Sequence, residues 1–185
     1  LYFGTTAASR QDDPANPARV FKWCLDRVED ANGNWMSIEY VKDRGEIDPA
    51  HIAYTGNRGL APANSVLFHL EKRPDRGVVF TTNFGVATAR RLKTIEVRAG
   101  GSLVRAYALS YTLSPSTGRS LLAHVQQFGT DSRISASGDI VSGSALPPAA
   151  FAWQADAQGA FTRPAASASV SQGFRFDGNR DQALP

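Results

Sequence analysis

Residues 23–40 read WCLDRVEDANGNWMSIEY, and the segment Asp30-Ala31-Asn32-Gly33-Asn34 at its centre decides how the chain folds. Asn-Gly tolerates the positive φ that a two-residue type I′ turn needs at both central positions, so it is the strongest short hairpin signal. Centred there, the turn pairs Glu29 with Met36, Arg27 with Ile38 and Leu25 with Tyr40. One face then carries Trp23, Leu25, Met36, Ile38 and Tyr40, with Arg27 and Glu29 nearer the turn, and this is the face expected to be buried. The other carries Asp26, Asp30, Ser37 and Glu39, with Val28 and Trp35 as its large apolar members. Phe21, Cys24, Leu25 and Val28 also fall at i, i+3, i+4 and i+7, a helical spacing that competes over residues 19–28. The turn and the strand after it favour the hairpin.

A second hairpin turns at Gly100-Gly101, pairing Val97 with Val104, Glu96 with Arg105, Ile95 with Ala106, Thr94 with Tyr107 and Leu92 with Leu109. Opposite charges meet in the Glu96–Arg105 pair, a contact worth ~0.2–1 kcal/mol. Between the hairpins lie Ile52-Ala53-Tyr54, the alternating Val66/Phe68/Leu70 run and a candidate strand from Val78 to Phe84. Ser114-Pro115-Ser116-Thr117-Gly118 reads as a turn before a strand from Leu121 to Phe128, and residues 129–144 as a long polar loop. Short β-branched and aromatic runs recurring roughly every ten residues between Gly, Asn, Asp and Pro clusters mark an all-β chain. The expected fold is a set of antiparallel hairpins forming a curved sheet, sandwich or shell segment, with little helix. Residues 1–154 form this β-rich segment; from 155 to 185 small residues dominate, as in an Ala/Ser-rich linker or the start of a following domain.

The 185 residues carry a net charge of only +3, with 42% hydrophobic and 20% charged side chains. That balance excludes a polybasic module and a chain disordered throughout. The single cysteine, Cys24, excludes an internal disulfide framework and a Cys-based zinc site. No apolar run approaches the ~18 residues of a transmembrane helix. Leu1-Tyr2-Phe3-Gly4 lacks the charged region and cleavage signature of a signal peptide, and the absence of an initial Met suggests a piece of a longer protein.

The strand–Asn-Gly–strand unit that ends at Tyr40 resembles a YD-type (Rhs) repeat. Four stretches in order resemble the SpvB-like region of bacterial Tc-toxin B components and related Rhs/YD-repeat proteins. They are residues 23–34, Arg91-Leu92-Lys93-Thr94-Ile95-Glu96-Val97, residues 114–122, and Ser144-Ala145-Leu146-Pro147-Pro148. Cys24 departs from the aliphatic residue more usual in that family. The resemblance implies a β-rich shell segment, commonly followed by an FG-GAP-type propeller, in a secreted bacterial assembly that encloses a toxic cargo. The implied partners are neighbouring segments of the same or a partner toxin polypeptide, with self-association through exposed strand edges expected of this piece alone. Some relatives end in an ADP-ribosyltransferase, whose signature includes a Glu-x-Glu pair. Glu29, Glu39, Glu46, Glu71 and Glu96 are all isolated here, so that activity is not carried over.

Nor do the residues nominate a catalytic site. His51, His69 and His124 are each solitary, without the i+2 or i+4 partner of a metal motif, and no Gly-x-Ser-x-Gly elbow presents a nucleophile. Cys24 between Trp23 and Leu25 reads as a small buried hydrophobe. Gly100-Gly101 and Gly56-Asn57-Arg58-Gly59 lack a phosphate-binding pattern. Arg90, Arg91, Lys93, Arg98 and Arg105 form a basic run without interleaved stacking aromatics, so a solvated strand face is expected, not a nucleic-acid site. Asp177, Asn179 and Asp181 have spacing that could offer oxygens to Ca²⁺, but no later bidentate Glu follows and a polar turn is the preferred reading. No cofactor is expected. The alternative to a shell segment is a β-sandwich binding module, presenting loops 56–64 and 129–144 to a glycan or surface protein with Trp23, Trp35 and Trp153 as a stacking platform.

Overall fold

The computed structural model describes residues 1–154. The strands are β1 (Tyr2–Phe3), β2 (Arg10–Asp13), β3 (Asn16–Trp23), β4 (Leu25–Glu29), β5 (Asn34–Asp43), β6 (Glu46–Asn57) and β7 (Asn64–Val79). They continue with β8 (Val86–Ala99), β9 (Ser102–Leu113), β10 (Ser120–Phe128), β11 (Arg133–Ile134), β12 (Ile140–Ser142) and β13 (Ala149–Ala150). A single 3-10 turn at Ala7–Ser9 is the helical content among the described residues, capped at Thr6. The helical alternative over residues 19–28 is therefore wrong; β3 and β4 occupy it.

Nine strands form one antiparallel sheet in the order β1-β4-β5-β6-β7-β8-β9-β10-β13. Sequence neighbours from β4 to β10 are also neighbours in space, which short connections dictate. The β2–β3 hairpin and the β11–β12 pair stand outside this sheet. The expected long loop at 129–144 thus holds a small hairpin. The candidate strand 78–84 divides: Val78 and Val79 end β7, and the chain then turns, with Asn83 N–H donating to Phe80 O at 3.1 Å.

Both hairpins exist, and both registers differ by one residue from expectation. At the first, Glu29 opposes Trp35, Val28 opposes Met36 and Arg27 opposes Ser37. The loop is three residues long because only Gly33 takes positive φ, at 79°, while Asp30 Oδ1 accepts from the amides of Asn32 (2.8 Å) and Asn34 (2.9 Å). A three-residue turn closed by a left-handed glycine is the next commonest hairpin solution. The slip exchanges cross-strand partners, so Arg27 and Glu29 face Trp35 and Ser37 in place of Met36 and Ile38. At the second, the tip is as expected, with Gly100 and Gly101 at φ 56° and 80° and Ala99 opposite Ser102. A bulge between Val97 and Arg98 then shifts the ladder, giving Glu96–Ala106 and Ile95–Tyr107. The expected Glu96–Arg105 pair is not formed. A further bulge sets Tyr54 and Thr55 against Met36, where Thr55 adopts φ 73°, a strained position for a β-branched residue.

Among the described residues the buried apolar set is small: Ile47, Phe84, Val86, Ala89 and Ala106. Buried polar residues are as prominent, including Gln11, Asp12, Asp26, Thr94 and Glu96. Most sheet residues are half-buried, so this is a broad single sheet with partial cover, not a sandwich. The β2–β3 hairpin supplies some of that cover, through Gln11 Nε2 on Gly45 O (2.8 Å) and the Lys42–Asp12 ion pair (2.6 Å). Residues 144–153 run along β10 and satisfy its outer edge. Leu146 N–H donates to Gln127 O, Phe151 N–H to Ala123 O, and Trp153 Nε1 to Leu122 O at 2.7 Å. The β10 edge is therefore covered by β13 and the chain around it. On the opposite side β1 reaches only Leu25 and Arg27 of β4. Phe21, Trp23, Val78, Val79 and Phe80 remain at least half exposed.

Candidate functional site

The residues singled out for chemistry do not converge. His51 Nδ1 lies 3.4 Å from Glu39 Oε2, His69 Nε2 lies 2.8 Å from Glu96 Oε2, and His124 Nδ1 lies 3.2 Å from Ser110 Oγ. Among the described residues His124 has no carboxylate ion pair to complete a hydrolytic triad, and no three His, Cys, Asp or Glu side chains are placed to hold an ion. Asp177, Asn179 and Asp181 lie outside the described residues. Cys24 is partly shielded; burial pushes its thiol up, Lys22 pulls it down and Asp26 adds to the rise, which disfavours the reactive thiolate.

Four of the five residues in the basic run are paired with carboxylates, and Arg105 is exposed. Arg90 pairs with Asp43 on β5 (3.1 Å), Arg91 with Glu71 on β7 (2.6 Å), Lys93 with Asp139 and Arg98 with Glu96. The sequence could not reveal these partners because three of them come from other strands or from the 129–144 segment.

The three tryptophans form no platform. Trp35 lies between the Arg27 guanidinium, 4.3 Å from the ring centroid, and Gly56, where a Cβ would fall within 2.4 Å of the indole. Its ring is engaged by both neighbours. Trp23 packs over Gly4 beside β1, whereas Trp153 packs beside β10, across most of the sheet.

What the side chains do build is a set of clasps across the sheet. Residues 73–76 leave the β7 ladder between Lys72 and Gly77 and carry Asp75 to the start of β10. Its carboxylate accepts from Arg73 Nε (3.1 Å) and Nη2 (2.8 Å), from Ser120 N–H (2.9 Å) and from Ser120 Oγ. Arg73, then Ser120, hold it far below the usual carboxylate range. Arg91 extends the network by donating to Ser120 Oγ (2.8 Å) and stacking over Tyr111 at 4.3 Å. A second clasp fastens the 129–144 segment: Thr94 Oγ1 donates to Gly138 O at 2.7 Å, and Ser144 N–H and Oγ donate to Asp131. These bonds fasten β7 to β10 and the 129–144 segment to β8.

This long antiparallel meander is similar in fold to the N-terminal domain of SpvB and to part of Tc-toxin chains. No family model matches the sequence, and no curated protein matches it. The N-terminal domain of effector protein SpvB from Salmonella typhimurium strain LT2 superposes with a TM-score of 0.61 at 14% identity, covering 69% of this chain and 57% of that one. A Photorhabdus luminescens Tc holotoxin pore gives 0.65 at 16% identity over 82% of this chain, and TcdB2-TccC3-Cdc42 gives 0.62 at 15% over 82%. This chain spans 10% of the length of each of those Tc chains. The fold expected from the resemblance is thus the fold observed.

Proposed function

We propose that this chain is a non-enzymatic structural segment of a large secreted bacterial toxin or Rhs-type shell, one that encloses or presents a cargo domain. The observation that carries this reading is a nine-stranded sheet, half-covered on its faces, that leaves Phe21, Trp23, Val78, Val79 and Phe80 exposed. An isolated domain of this size normally buries such residues, each worth ~1.5–3 kcal/mol on burial. In a wall they meet neighbouring strands of the same or a partner polypeptide. Backbone pairing at the sheet margins then leaves no open edge, and a closed wall separates its contents from water and proteases. The assembly named in TcdB2-TccC3-Cdc42 supports a multi-component context.

Sedimentation velocity combined with binding of an apolar fluorescent dye tests this on the 185-residue chain. Concentration-dependent association and dye binding, both reduced by Phe21→Ser with Phe80→Ser, are expected. A strictly monomeric chain that binds no dye would contradict it.

A further inference from the structure

β3 is the outer strand of a two-stranded ribbon: it pairs with β2, and among the described residues its other edge has no strand partner. Every residue of β3 is exposed except Val20, which is half-buried. An open edge of this kind is a template for a further strand, and proline and charge restrict what can add to it. Pro17 guards the start of β3, while Arg19 and Lys22 make the edge positive with no acidic residue among its eight.

A cleft of about 340 Å³ lies beside this strand, lined by Arg19, Val20 and Phe21 and by Thr82, Asn83 and Phe84 of the turn after β7. Val20, Phe21 and Phe84 make it apolar. Thr82 spends its hydroxyl on Phe84 O at 2.8 Å. No carboxylate lines the cleft, and Arg19 is its one charged residue. The Arg19 side chain is 71% exposed, and its ion pair with Asp13 spans 3.6 Å, longer than a hydrogen bond. Asp13 itself accepts from Ala15 N–H at 2.9 Å. Arg19 therefore keeps donors of its guanidinium fork for a carboxylate at the mouth of an apolar cleft. A second copy of β3 suits this edge poorly, because pairing the two would gather two Arg19 and two Lys22 in one ribbon without an acid among them.

We propose that this cleft seats an extended segment of a neighbouring polypeptide in which an acidic side chain is flanked by apolar ones. The carboxylate pairs with Arg19, an apolar side chain packs against Phe21 and Phe84, and the segment's backbone adds to the free edge of β3. This rests on the shell reading, in which the Phe21 margin meets neighbouring chain, and adds the chemistry that the contact selects.

The test titrates the ¹⁵N-labelled 185-residue chain with acetyl-Thr-Val-Glu-Val-Thr-amide and with its glutamine and lysine analogues, following the amides of Val20, Phe21, Asn83 and Phe84. Saturable shifts are expected, with the glutamate peptide binding about three- to fivefold tighter than the glutamine one, the scale of one exposed ion pair. Arg19→Glu, at an exposed position, should reverse the order so that the lysine analogue binds best. Of two glutamate peptides N-methylated at alternate residues, one should lose binding and the other keep it, because strand addition uses the amides of one phase. Equal affinity for the three analogues, an unchanged order in Arg19→Glu, or binding by both methylated peptides would overturn the proposal. So would movement of the same amides with protein concentration alone, which assigns the edge to a second copy. A chain that associates and binds apolar dye but ignores the glutamate peptide refutes this site and keeps the wall; a dye-free monomer that takes the peptide does the reverse.

Discussion

Replacing Gly138 by Ala should loosen the 129–144 segment far more than the same change at a glycine with the same positive φ. Gly138 and Gly101 both sit at φ 80°. A Cβ at Gly101 meets nothing within 4 Å, whereas at Gly138 it would lie 2.4 Å from His69 Cβ and 2.6 Å from His69 Cγ. Gly101→Ala therefore reports the left-handed backbone alone, about 1–2 kcal/mol. At Gly138 the loop must also lift from the sheet. Lifting separates Gly138 O from the Thr94 hydroxyl, which is 2% exposed, and pulls Asp139 from Lys93. Leaving that buried pair unmatched adds about 1–3 kcal/mol, for a total of roughly 2–5 kcal/mol. Gly59, with no neighbour within 4 Å and an ordinary φ, provides a baseline expected to stay within about 0.5 kcal/mol on substitution by Ala. Urea denaturation of the three variants gives the ranking, and hydrogen exchange at residues 133–142 shows whether the loss is local. Equal destabilisation of Gly138→Ala and Gly101→Ala would refute the docking of this segment onto Thr94 and His69.

Acid should open the clasps. Asp75, Asp131 and Asp139 have folded values below the unfolded one, so their stabilisation is present above the unfolded carboxylate pKa and fades as pH falls through the folded values. Asp48, raised by burial and by Glu46, acts in the opposite sense and favours the folded state where it is protonated. Melting temperature followed from pH 7 downward should hold nearly level until about pH 4 and then drop; a level profile to about pH 2 would count against the clasps. Phe84→Ala, at one of the few buried apolar sites, should cost about 3–5 kcal/mol by chemical denaturation. Tyr111→Phe removes the 2.6 Å bond to Leu92 O and should cost about 1 kcal/mol, with the Arg91 stacking retained.

The all-β class, both hairpins and the strands around Ile52, Val66 and Leu121 were legible because alternation and turn chemistry are local signals. Register was not, since each ladder is shifted by an event that alternation does not encode. Asp30 capping two amides lengthens the first turn, and the unpaired Val104 opposite Val97 and Arg98 displaces the second ladder. A one-residue shift is enough to send Glu96 to His69 and Arg98 instead of Arg105. The polar composition of residues 129–144 correctly marked a connection but hid its attachment, which depends on Thr94 and Lys93 far away in sequence. The same limit applies to Asp75 and Asp26, whose partners lie on distant strands or beyond a turn. Trp35 illustrates the converse: an aromatic suited to a sugar platform is engaged once the fold brings Arg27 and Gly56 against its ring.

Electron cryo-microscopy of the native, full-length polypeptide bearing this sequence tests the wall account most directly. The account predicts further strands continuing the sheet beyond β1 and neighbouring chain seated on Phe21, Trp23 and Phe80, around an enclosed cavity. A detached module with those side chains bare to solvent, or a deep pocket where acids and bases meet a substrate, would contradict it.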